Sequence, residues 1–125
     1  MRKVILFYLS GLAILTTSCT RVFYVVADAG LSGTVLSFYD SERSGKKKIE
    51  PCVWAIDVIN DISGKSVFRL AAENRCSNFS SISIGKPYKD FLITGSVHDL
   101  KAGNVYHAEV SADEGVGKSA PWTQR

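Results

Sequence analysis

Short runs of β-branched and aromatic residues recur along this chain, separated by turn-forming residues about every 8 to 13 positions. "RVFYVVA" (21–27), "TVLSFY" (34–39), "CVWAIDVI" (52–59), "FSSISI" (79–84), "FLITGSV" (91–97) and "VYHAEVS" (105–111) all read as strands. Several alternate with period two, the signature of a strand with one face buried. That alternation puts Trp54, Ile56 and Val58 on one face, Phe91, Ile93 and Val97 on another, and Tyr106, Ala108 and Val110 on a third. "SAPWTQ" (119–124) reads as a short edge strand, because Pro121 cannot serve a central ladder.

The pattern predicts an all-β fold, a small antiparallel β-sandwich of about seven strands, Ig-like or transthyretin-like. One segment is ambiguous. In "SVFRLAAEN" (66–74), Phe68, Leu70 and Ala72 share a strand face, whereas Val67, Leu70, Ala71 and Asn74 share a helix face. The tight turns on both sides favour a strand. The alternative is an α+β domain with a helix at 66–74.

The N-terminus has a different grammar. Arg2 and Lys3 precede Val4 to Leu15, an uncharged apolar stretch, and small polar residues lead to Cys19. That order is the order of a secretory signal peptide, and the apolar stretch is shorter than the roughly 20 residues a spanning helix needs. "LTTSC", residues 15–19, resembles the lipobox of bacterial lipoproteins. Ser18 matches the small residue before the cysteine, and Leu15 stands one place earlier than that pattern prefers. The resemblance implies cleavage before Cys19, acylation of its sulfur and a signal over 1–18; the length that remains suits a single domain, the β domain, over 19–125. Thr20, rather than an aspartate, follows the cysteine and implies the outer membrane, with the domain facing the periplasm or the exterior. An uncleaved anchor and a conventionally cut signal are the other readings of these residues.

Removing Arg2 and Lys3 lowers the basic residues from 15 to 13, against 12 acidic ones. A chain so nearly neutral is no nucleic-acid binder by charge. Three cysteines are present. With Cys19 acylated in an oxidising compartment, Cys52 and Cys76 are left to pair. Their bond would close a loop of 25 residues and stabilise the fold by about 3.5 kcal/mol in the chain-entropy account. Buried free thiols are the alternative. A metal site is disfavoured, since no CxxC spacing occurs.

Motifs for chemistry are weak. "ADEGVGKS" (112–119) matches a relaxed phosphate-loop pattern, but the few residues after Ser119 include Pro121 and leave no room for the helix such a site needs. His98 with Asp99, and His107 with Glu109, invite an acid–base reading; His107 and Glu109 fall on the solvent face of their strand and read as exposed. No cofactor is implied. Arg43, Lys46, Lys47 and Lys48 form a candidate contact loop for anionic lipid heads or an acidic wall polymer, with Asp40, Glu42 and Glu50 offsetting part of the charge. These readings predict a non-enzymatic envelope module, held at the membrane by its N-terminal lipid, that binds a protein or wall component. The alternatives are an inhibitor of a secreted cell-wall hydrolase, using loop 40–48 or 112–118, and a small envelope enzyme built around His98 and His107.

Overall fold

A computed structural model describes residues 22–30, 33–40 and 47–125; residues 1–18, expected to be a signal, and Cys19, Arg43 and Lys46 lie outside the described residues. The described chain is nearly all β. Its strands are β1 (Val22–Gly30), β2 (Gly33–Tyr39), β3 (Cys52–Asn60), β4 (Ser66–Ala72), β5 (Ser77–Asn78), β6 (Ser81–Ser83), β7 (Phe91–Gly95), β8 (Val105–Ala112), β9 (Gly115–Ser119) and β10 (Trp122–Thr123). They join one sheet in the order β6-β2-β1-β9-β8-β3-β4-β7, with β10 added to β8 and β5 to β3. β6 and β7 end this path but are neighbours in sequence, so the sheet curls and wraps its inner face around one core.

The wholly antiparallel expectation is corrected at one pair. β1 runs parallel to β9, with Val22 opposite Val116 and Val25 opposite Ser119. The β1–β2 and β8–β9 hairpins are each antiparallel within themselves, and the strands that meet between them point the same way.

Period-two burial follows the sequence pattern where strands are central. Phe23 and Val25 of β1, Leu36 and Phe38 of β2, and Tyr106, Ala108 and Val110 of β8 all point into the core. The 66–74 segment is strand over Ser66–Ala72, with Phe68 and Leu70 buried, so the helix alternative is set aside. Its pairing with both β3 and β7 satisfies its backbone and outweighs the helix preference of its Leu and Ala.

Three details differ from expectation. A register shift between Val53 and Ala55 turns Trp54 outward, 39% exposed, while Val53 is fully buried; the bulge breaks the Trp54–Ile56–Val58 alternation. Ile93 and Val97 are partly exposed, because β7 ends the sheet's path and stops at Gly95. The glycine-rich 115–119 segment is a true strand. Gly117 lies flat against the Phe23 ring, where a Cβ would collide with it.

Pro121 falls in the gap between the β9 and β10 ladders on β8, so it interrupts neither. β10 brings Trp122 against Tyr106, at 6.3 Å between ring centroids. The Tyr106 hydroxyl accepts from the Lys101 N–H (2.8 Å), which ties the loop before β8 to the core.

Candidate functional site

The sheet has two ends. At the N-terminal end β1 and β3 begin and the β8–β9 turn sits; at the opposite end lie the β3–β4 turn and the 3-10 turn Val97–Asp99.

At the N-terminal end the Cys52 and Cys76 sulfurs lie at disulfide distance, with their Cα atoms 5.1 Å apart. Pairing of β5 with the first residues of β3 brings them together. The two-residue turn Asp113–Glu114 folds over this pair. Glu114 accepts from the Cys52 N–H (2.9 Å), and Asp113 N–H donates to the Cys52 carbonyl (3.0 Å). The Asp113 carboxylate accepts from the Trp54 indole N–H (2.6 Å) and lies 3.4 Å from the Cys76 sulfur. Cys52, Cys76 and Asp113 are close enough to hold an ion as a group, but a sulfur already bonded to sulfur has no thiolate to offer. None of these partners is near in sequence, and nothing local in "WAID" or "ADEG" announces them.

Next to this clasp is a cleft of about 390 Å³ lined by Val22, Asp40, Ile49, Glu50, Pro51 and Glu114. Of the basic contact loop, Lys47 and Lys48 are described and exposed. The Lys47 carbonyl accepts from the Asp40 N–H (2.9 Å), and Lys48 bridges to Tyr39. Among the described residues, Lys47 and Lys48 stand beside the carboxylates of Asp40, Glu50 and Glu114.

At the opposite end His107 is almost covered, its side chain 10% exposed. The expectation of an exposed histidine is therefore corrected. Its strand lies between β3 and the β9–β10 ladders, and Asp61 folds over from the β3–β4 turn, fixed by its own N–H to the Val105 carbonyl (2.9 Å). Asp61 meets Nδ1 at 3.0 Å and Glu109 meets Nε2 at 3.1 Å. Carboxylates only accept, so the ring donates from whichever nitrogen is protonated, and from both in the imidazolium form. Glu109 shares the face of His107, as the alternation indicated; Asp61, 46 residues away, has no signal in the sequence.

The acid–base reading needs a ring nitrogen that faces a reacting group. Here both face carboxylates. His98 is exposed in the 3-10 turn, its backbone N–H held by Ser96 Oγ (3.2 Å) in a capping box that Asp99 completes. No contact among the described residues joins His98 to His107. The phosphate-loop residues are likewise separated: Lys118 points outward across from Glu109, and Ser119 is buried with its Oγ accepting from the Ala108 N–H (2.8 Å). The turn at 113–114 is two residues long and exposed, with its carboxylates accepting from the Trp54 indole and the Cys52 N–H.

Across family models, curated proteins and solved structures, nothing matches this chain.

Proposed function

We propose that this chain is an outer-membrane lipoprotein, acylated on Cys19, whose β domain acts as a non-enzymatic binding or structural module of the bacterial envelope. The observation that carries the reading is the cysteine arrangement. With Cys52 and Cys76 at disulfide distance, Cys19 is the one cysteine outside the pair, and it is the one that follows a signal-like segment. A disulfide suits an oxidising compartment. Both ring nitrogens of His107 are engaged by carboxylates and His98 stands apart, which favours binding over catalysis. The domain's partners are the membrane, through the lipid, and an envelope protein or wall component.

We also read the curl as a sandwich, Ig-like or transthyretin-like in outline, in which β6-β2-β1-β9 packs across the core from β8-β3-β4-β7. Support comes from core residues on both halves, such as Phe38 and Leu36 from one and Ile56 and Leu70 from the other.

The test is intact mass and acyl-chain labelling of the full chain, expressed with its own signal in a Gram-negative host. The expected product starts at Cys19, carries diacylglycerol and has no titratable thiol. Cys19→Ala should abolish labelling and release the protein from membranes. A wild-type product that still starts at Met1, without acyl groups, overturns the reading.

A further inference from the structure

The outward face of the sheet divides into rows of cross-strand neighbours, and among the described residues the row nearest the N-terminal end carries no charge. It runs Val22, Val116, Ser111, Ala55, Ala71, Leu92 across β1, β9, β8, β3, β4 and β7. Val22 is 67% exposed, Leu92 60% and Val116 47%. The bulge at Val53/Ala55 adds the outward Trp54 to the same row. The next row, two residues along each strand, begins Lys48, Tyr39, Tyr24, Lys118. It continues with Glu109, Asp57 and Arg69, and here the charges are compensated: Asp57 pairs with Arg69 at 2.6 Å, and Glu109 lies opposite Lys118 and holds His107.

We propose that this face is a bilayer-contact surface, on which the uncharged row meets phospholipid and the Tyr24–Tyr39 row lies at headgroup level. The proposal rests on the lipid-anchor reading above and goes beyond it, since an anchor alone leaves the domain free to tumble. Three observations favour lipid as the occupant. Cys19 precedes Val22 by three residues, which reach at most about 10 Å when extended, so acyl chains on Cys19 must enter the bilayer beside this row. That tether keeps the membrane at high effective concentration. The order of residue types, apolar and Trp first and then Tyr flanked by Lys, is the order of a membrane interface, where aromatic rings and long basic stems bridge hydrocarbon and headgroup. Of the carboxylates that border the row, Asp113 and Glu114 accept from the Trp54 indole and the Cys52 N–H, while the exposed Glu73 and Asp90 lie past its Ala71–Leu92 end and mark the rim of the contact. A shallow cleft of about 360 Å³ between the rows, bounded by Val22, Val116, Ser111, Asp57, Glu109 and Lys118, gives room for part of a headgroup.

The acylated full-length protein in phosphatidylcholine nanodiscs, with methyl-labelled Val, Leu and Ile and a nitroxide on the lipid acyl chains, tests this directly. The expected result is loss of the Val22, Val116 and Leu92 methyl signals. Ile62, in the β3–β4 turn at the far end and 88% exposed, should keep its intensity. Val116→Asp should restore part of the Val22 and Leu92 signals while acyl mass and disc binding stay unchanged. A disc-bound, acylated protein whose four signals behave alike overturns the contact surface and leaves the anchor standing. So does a dimer closed over these residues with no broadening, which gives the face to a second copy. A protein whose mass shows no acyl group defeats the anchor instead, and the surface proposal with it.

Discussion

At the end of the sheet where β1 begins, closure is covalent and short: a sulfur–sulfur link, with a two-residue turn hydrogen-bonded over it. At the other end, closure is by side-chain contact: an imidazole between two carboxylates, one delivered by a turn 46 residues away. The two devices do the same job, which is to hold neighbouring strands of a small curled sheet together where the ladders run out. They differ in what can undo them. A disulfide acts chiefly by limiting the unfolded chain and responds only to reductant. The His107 clamp acts in the folded state, through contacts that water and salt can reach from the exposed sides of Asp61 and Glu109, 39% and 51% exposed.

The largest effect is expected from breaking the covalent end. Cys52→Ser with Cys76→Ser should lower unfolding stability by about 3.5 kcal/mol, read as a drop of order 15 °C in melting temperature by circular dichroism. A loss below about 1 kcal/mol would mean that the turn over the disulfide, not the bond, closes this end.

His107→Ala should cost less, about 1 to 2 kcal/mol, because its buried ring loses its contacts to Asp61 and Glu109 while both carboxylates can turn to solvent. Combining it with Asp61→Asn should cost less than the sum of the two single changes, because the three groups form one network. Strict additivity in denaturant melts would show that the contacts are not coupled.

The smallest effect should come from the middle of the outer face. Arg69→Ala removes a 2.6 Å ion pair to Asp57, but Arg69 is 49% exposed. The expected loss is at most about 0.5 to 1 kcal/mol, and it should shrink in high salt. A salt-independent loss would indicate that the arginine stem, rather than its charge, is what matters.

Much of this architecture was legible as pattern. Alternation in "VYHAEVS" and "CVWAIDVI" marked two central strands, because a half-buried strand leaves a period of two in any sequence. The same logic misread Trp54, since a bulge inserts one residue and shifts the phase without a local mark. It also missed β9, where Gly115 and Gly117 look like a loop; close packing of Phe23 is the reason a glycine stands there, and Phe23 is far away in sequence. The clamp and the turn folded over the cysteine pair were beyond reach for a related reason. Asp61 and His107, or Trp54 and Asp113, meet only after the sheet has been assembled, and no short-range pattern encodes a meeting across 46 or 59 residues.

The parallel pair between β1 and β9 has a consequence for the order of events as the chain folds. The first strand finds its inner neighbour only in the last hairpin, so Val22 waits for Val116 before its ladder can form. Closing so long a loop is entropically slow. A nascent chain cut short before residue 115 would leave one edge of β1 bare. The sheet is thus completed only once nearly the whole described chain has been made.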